Sequence, residues 1–331
     1  MPELFDERMR TDLVDRRARL QLAVAHEPEA RDDQALLAEV DSALARMDGG
    51  TFGLCETCGD PIERDRLVAD PLIRRCIDHL TASERRGLEQ DLELAERIQL
   101  TLLPPREIAA CGWDIAYHFE PFGHVGGDYC DVVLPDPRGD RLFFLLGDVS
   151  GKGVAASLLM SNLHATFRSL INVGLNVEDL LVRANRLFCQ STMDAHYATL
   201  VCGLASSSGD VCLANAGHWP TAVVRRGGTT FVSSNGLALG MFCSAEYGRE
   251  RLWLEPGDFM VLYTDGLTEA RNHADEEYGT ARLAARLDAL ARRARLTARE
   301  ITSACLDDLR AFCGAAPKAD DLTVMVIRRA G

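Results

Sequence analysis

Apolar residues recur three and four apart from residue 4 to 25 and again from 30 to 48, set among Arg, Glu and Asp, and this spacing predicts two amphipathic helices. Proline disfavours helix at the residue before it, so His26-Glu27-Pro28-Glu29 is expected as the turn that folds them into a short antiparallel hairpin. Gly49-Gly50 ends the second helix. A third helical pattern spans 80–103, with Leu88, Leu92, Ala95, Ile98, Gln99 and Leu102 on one stripe, and Pro104-Pro105 stops it. Beyond it the period changes. Apolar runs at 142–147, 197–204, 211–216, 221–225, 259–264 and 322–327 read as strands, with Gly227-Gly228 as a hairpin turn. Helices are expected at 154–172, 177–193, 279–294 and 297–313. Strands in runs, with helices between groups, predict an α+β layered domain and not a doubly wound sheet. The expected organisation is a helical hairpin at 1–48, a small finger at 49–80, a linker helix at 81–104 and a large domain at 105–331.

Composition narrows the function classes. Of 331 residues, 47% are hydrophobic, enough for a substantial core. There is no uninterrupted apolar run of about 18 residues and no apolar stretch near the charged N-terminus, so neither a membrane span nor a signal peptide is expected. The net charge of −14 argues against nonspecific binding to nucleic acid or anionic lipid. Eight of the eleven cysteines (111, 130, 189, 202, 212, 243, 305 and 313) lie singly among mostly apolar residues. They read as buried thiols in a reducing cytoplasm.

The other three belong to a cluster. Cys55-x-x-Cys58 and Cys76-x-x-His79, seventeen residues apart, have the spacing of a closed tetrahedral site for one structural Zn²⁺. Ala43-Leu44-x-Arg46, then Gly50-Thr51-Phe52-Gly53-x-Cys55-x-x-Cys58-Gly59, Ile62, Arg66-Leu67, Ala69-x-Pro71 and Cys76 resemble the DksA/TraR zinc finger. That family acts on RNA polymerase, so the resemblance implies polymerase binding as an alternative function. The chain departs from the family in carrying His79 for the last cysteine and in its much shorter hairpin.

Four acidic motifs mark the large domain: Gly126-Gly127-Asp128-Tyr129, Asp148-Val149-Ser150-Gly151-Lys152-Gly153, Thr264-Asp265-Gly266 and Asp320-Asp321-Leu322-Thr323. Three of them abut apolar strands. Carboxylates gathered from several strand ends, with glycine beside them, suit hard divalent cations. Gly151-Lys152-Gly153 lacks the P-loop pattern and is not read as a nucleotide site. His218, in Asn215-Ala216-Gly217-His218, is expected either to donate a proton to a leaving group or to hold the turn.

These motifs, preceded by Asp91 to Pro104 and joined by Asn215 to His218 and Leu239-Gly240, occur in the order of the SpoIIE/RsbU branch of the PPM phosphatases and resemble it over 91–329. The resemblance implies a PPM-type α-β-β-α sandwich and a protein serine/threonine phosphatase with two Mn²⁺ or Mg²⁺ ions. Asp148 is then expected to bridge the metals, Val149 to offer its carbonyl, Asp265 and Asp320 to complete one shell, and Asp128 to hold the other ion. Asp321 is a further candidate ligand, and Asp148, Asp128 and Asp265 are the expected catalytic set. The implied partner is a phosphorylated STAS-domain anti-anti-sigma protein. The 80–103 helix is expected to couple the zinc-finger region to the catalytic domain and to form a homodimer contact.

Overall fold

Helices α1 (Pro2–His26) and α2 (Arg31–Asp48) form the expected hairpin, with Leu13, Val40, Ala43 and Leu44 buried where they meet. The structure, a computed structural model, describes residues 2–26, 31–135, 139–192, 196–293 and 295–331. The expected turn therefore lies outside the described residues apart from His26, as do the expected helix ends at 193 and 294. Exposed pairs Arg10–Asp48 and Arg17–Asp41, both at 2.7 Å, flank the hairpin. Such pairs contribute roughly 0–1 kcal/mol, so apolar burial carries the packing. The Arg46 guanidinium donates to the carbonyls of Leu72 (3.3 Å) and Ile73 (3.1 Å), tying α2 to the cysteine-rich segment and its short helix α3 (Arg64–Ala69).

The chain divides into two units, Met1–Asp91 and Leu92–Gly331, and α4 (Ala82–Leu102) contributes residues to both. The expected apolar stripe on α4 is not a buried face: Leu88 and Ile98 are exposed, and the buried residue is Gln99. No helix among the described residues is long and apolar enough to cross a membrane.

In the second unit, β1 (Glu107–Ala110), β2 (Trp113–Glu120), β7 (Thr221–Arg225), β8 (Gly228–Val232), β10 (Phe259–Tyr263) and β11 (Leu322–Arg329) form one sheet in the order β1-β2-β11-β10-β7-β8. The other sheet runs β3-β4-β5-β6-β9, from β3 (Tyr129–Val133), β4 (Arg141–Val149), β5 (Ala198–Ser206), β6 (Asp210–Ala216) and β9 (Glu250–Trp253). Along β4 the side chains alternate between two cores. Leu142, Phe144 and Leu146 meet Trp113, Met260 and Met325 of the opposing sheet, whereas Phe143 and Leu145 pack beneath α5 (Gly153–Ile171) and α6 (Val177–Ser191). On the far side Val261, Val324 and Val326 pack beneath α8 (Gly279–Ala291) and α9 (Ala298–Cys313). Both faces of each sheet are covered, which is why the strands read as continuous apolar runs. The layers are helix, sheet, sheet, helix.

One expectation about cysteine fails. Cys189 on α6 and Cys243 form a disulfide, with Cα atoms 5.8 Å apart across 54 residues of sequence. The long separation hides the pairing from a reading of local context. The remaining six of the eight are free thiols, with Cys130, Cys202 and Cys305 buried as expected. With one pair joined, cysteine usage no longer argues for a reducing compartment.

Candidate active site

Four elements deliver the aspartates to one rim of the sandwich. Asp148 is the penultimate residue of β4, Asp320 stands two residues before β11, and Asp128 directly precedes β3. Asp265 follows β10 and opens the short helix α7 (Asp265–Thr268). Asp128 is 1% exposed, and its Oδ2 accepts hydroxyl protons from Thr264 (2.9 Å) and Thr323 (2.5 Å). The two threonines also bond each other across the ends of β10 and β11: Thr264 N–H donates to the Thr323 carbonyl and Thr323 N–H to Thr264 Oγ1, each at 3.0 Å. Neither hydroxyl was singled out from sequence, because threonine beside a strand is unremarkable until the buried acid appears.

Glycine at 126 and 127 is a matter of space. A Cβ on Gly127 would lie 2.9 Å from the Val149 carbonyl oxygen and 3.6 Å from Asp148 Oδ1, so the loop approaches both only because no side chain intervenes. Asp321 braces the same loop: Oδ1 accepts the Phe122 N–H (2.6 Å) and Oδ2 the Gly127 N–H (2.7 Å). The buried Gln99 amide grips Gly126 from α4, donating from Nε2 to its carbonyl (2.7 Å) and accepting its N–H at Oε1 (3.1 Å). A lone glutamine inside an apolar stripe, just before Pro-Pro, was the available signal for that contact.

The electrostatics are those of crowded like charge. Burial and then the neighbouring Asp265, Asp320 and Asp321 push the Asp148 carboxyl up to about 7. Burial and then Asp148 push Asp128 well above the carboxylate range, and burial and then Asp320 raise Asp265. Such shifts mean that a nearby cation would relieve the carboxylates. Lys152 partly does so, its ammonium donating to Asp320 Oδ2 (2.8 Å) and the Ala319 carbonyl (2.9 Å). The donor set, four carboxylates and the Val149 carbonyl, is all oxygen and fits Mg²⁺ or Mn²⁺ better than a softer ion.

His218 belongs to the frame. It is buried, with Nδ1 2.8 Å from Thr199 Oγ1 and Nε2 3.1 Å from the Tyr263 carbonyl oxygen, so Nε2 carries the proton and donates. Burial pulls its pKa to about 4, which leaves it neutral and unable to act as an acid near pH 7. Because this lies below the ordinary value near 6.5, its stabilising effect is complete above about pH 6.5 and lost as pH falls through about 4. Wild type should lose about 3 kcal/mol more than His218→Gln between pH 7 and 4, measured by urea unfolding; parallel losses would refute this. Cys130 is buried, and burial followed by Asp131 raises its thiol far out of the nucleophilic range.

In the finger, one ligand atom from each of Cys55, Cys58, Cys76 and His79 lies within 4.8 Å of all the others. His79 Nδ1 is 3.2 Å and Cys58 Sγ 3.8 Å from Cys76 Sγ. Three sulfurs and an imidazole nitrogen at these separations suit a tetrahedral zinc ion.

The family model described as Stage II sporulation protein E (SpoIIE) matches residues 138–330, more than half of the chain. The chain belongs to the SpoIIE family. Residues 50–78 match the Prokaryotic dksA/traR C4-type zinc finger, a match that ends one residue before His79. Phosphoserine phosphatase RsbU of Bacillus subtilis (strain 168) is 29% identical over 193 residues, 56% of this chain and 57% of RsbU. Protein IcfG of Synechocystis sp. is 29% identical over 273 residues, 72% of this chain and 41% of IcfG. This SpoIIE-family chain thus spans about half the length of the curated relatives it matches. Among solved structures, the RsbU and RsbW domains of Rv1364c from Mycobacterium tuberculosis align with a TM-score of 0.56 and 30% identity, covering 69% of this chain and 62% of that one. The PPM-type sandwich with N-terminal helices and a zinc finger is therefore the fold.

Proposed function

We propose that the chain hydrolyses phosphoserine or phosphothreonine on a protein, using two divalent cations, Mn²⁺ or Mg²⁺. The gathering of Asp128, Asp148, Asp265 and Asp320 on one rim, with three of those carboxyls raised by burial and mutual charge, carries the reading. Bound there, the cations would supply a Lewis acid that activates water and neutralises phosphoryl charge. The protein's own part is positioning. Asp148, the Val149 carbonyl, Asp265 and Asp320 would hold the cations together with Asp128, which Thr264 and Thr323 fix in place. Asp321 acts through the backbone of residues 122 and 127.

The substrate we favour is a phosphorylated STAS-domain anti-anti-sigma protein, a reading supported by the likeness to RsbU. The experiment is phosphate release from phosphorylated STAS-domain proteins. Release should cease with EDTA and return with Mn²⁺ or Mg²⁺; a chain inert with every divalent cation would sink the proposal.

Regulation is read through α4, which carries residues of both units and holds Gly126 through Gln99. Gln99→Leu removes both bonds and keeps the volume. It should lower kcat about 10-fold or more by loosening the loop that presents Asp128, with zinc content unchanged. Steady-state kinetics decide, and an unaltered kcat would remove the helix from the mechanism. Leu88 and Ile98 of the expected stripe are exposed on the same helix, and we read that stripe as a homodimer contact.

A further inference from the structure

Arginine collects in one place on the second unit. A cleft of about 290 Å³ is lined by Arg225, Arg226, Arg293, Arg295 and Arg328, with Asp258 as the one acidic side chain and Gly331 at its edge. Arg225 Nε is 4.0 Å from Asp258 Oδ2; among the described residues none of the other four forms an ion pair within 4 Å. In a chain of net charge −14, with 36 basic and 50 acidic residues, five guanidinium groups around one small volume are a local reversal of the field. Arg295 holds a backbone φ of 63°, a left-handed conformation unfavourable for a side chain of its size. Leu296 and Ile301 add an apolar part to the lining.

The cleft is remote from the aspartates on the same two strands. Phe259 and Arg328 line it, and they lie at the opposite ends of β10 and β11 from Asp265 and Asp320. Six to eight residues at about 3.3 Å each put some 20–26 Å between the two sites.

We propose that this cleft binds a small, multiply charged phosphorylated ligand of the nucleoside diphosphate kind. Guanidinium forks match phosphate oxygens in paired hydrogen bonds and are weakly hydrated, so several can close on one anion. The volume suits a small molecule. Leu296 and Ile301 offer apolar contact to a base, and Asp258 offers an acceptor to a sugar hydroxyl.

Calorimetric titration of the full chain with ADP and with inorganic pyrophosphate, without added Mn²⁺ or Mg²⁺, tests the assignment. Saturable binding at one site per chain is expected, with ADP the tighter of the two. The exposed pair Arg226→Gln/Arg293→Gln should weaken both probes about 10-fold or more, and Arg328→Gln alone should weaken them in the same direction. Asp148→Asn, at the far end of the sheet, should leave both affinities unchanged. Absence of saturable binding up to about 10 mM, equal affinity in the arginine variants, or loss of binding in Asp148→Asn would each overturn it. Pyrophosphate binding that equals ADP binding would reduce the ligand to a bare polyphosphate and overturn the nucleoside part.

Discussion

Asp148→Asn should abolish phosphate release, by about 10⁴-fold or more, and at the same time raise the melting temperature of the protein free of Mn²⁺ and Mg²⁺. The two effects share one cause. Folding brings Asp148 out of water and beside Asp265, Asp320 and Asp321, and its pKa rises to about 7. An acid whose folded pKa exceeds its unfolded value destabilises the fold as pH rises: the cost is absent below about 4, grows to about pH 7 and is complete above it. At pH 8 this amounts to about 3–4 kcal/mol, or about 5–10 °C for a domain of this size. Asparagine keeps the shape and removes the charge, together with the oxygen we assign to the cations. Scanning calorimetry at pH 8 and pH 5, with phosphate release measured in parallel, separates the outcomes. The thermal gain should be large at pH 8 and small at pH 5. No gain at pH 8 would mean the carboxylates do not repel, and retained turnover would defeat the assignment of Asp148.

Cys76→Ser should empty the finger and unfold it without unfolding the second unit. The local core is Met9, Cys55, Ile62, Leu67 and Cys76, and two of those five residues are proposed ligands. So small an apolar cluster cannot offset the entropy of ordering the segment, whereas zinc binding contributes about 10–16 kcal/mol in small fingers. Metal analysis should fall from one zinc per chain to near none. Amide exchange should accelerate throughout residues 50–80 and stay slow in β4, β10 and β11. His79→Cys, which restores the fourth thiolate of the matched finger type, should keep its zinc. A Cys76→Ser protein with full zinc and a protected finger would show that another residue completes the site.

Much of this architecture was legible because sandwiched strands are apolar on both faces. The runs at 142–147, 259–264 and 322–327 are β4, β10 and β11. β2 and β3 were not legible, since His118, Asp114 and Asp131 interrupt them. Asp131 is tolerable in a buried strand because Arg168 of α5 pairs with both its oxygens, at 2.7 and 2.6 Å, and Tyr129 bonds it too. That contact spans 37 residues and leaves no local trace. In the same way the aspartates announced themselves by their glycine neighbours, while the residues that hold them, Gln99, Thr264 and Thr323, look ordinary until the chain is folded. Asp321 is a candidate ligand only through the resemblance, and the folded chain adds what the sequence did not reveal, that its two oxygens accept backbone N–H groups of the glycine loop.

The place of β11 has a consequence for biosynthesis. It lies inside its sheet between β2 and β10, with Leu322 opposite Glu120, yet it is made roughly two hundred residues after β2. A ribosome adding about 5–20 residues per second leaves β2 without that neighbour for about 10–40 s. During that interval the edge of β2 is open to any passing strand, as is that of β10 over about the last 60 residues, when Asp265 is made and Asp320 is not yet there to join it. On the proposed mechanism the nascent chain is therefore inactive, and open to aggregation, until β11 slots in. Holdase chaperones would matter most in that window, and on the proposed mechanism translation products that stop short of β11 would have no activity.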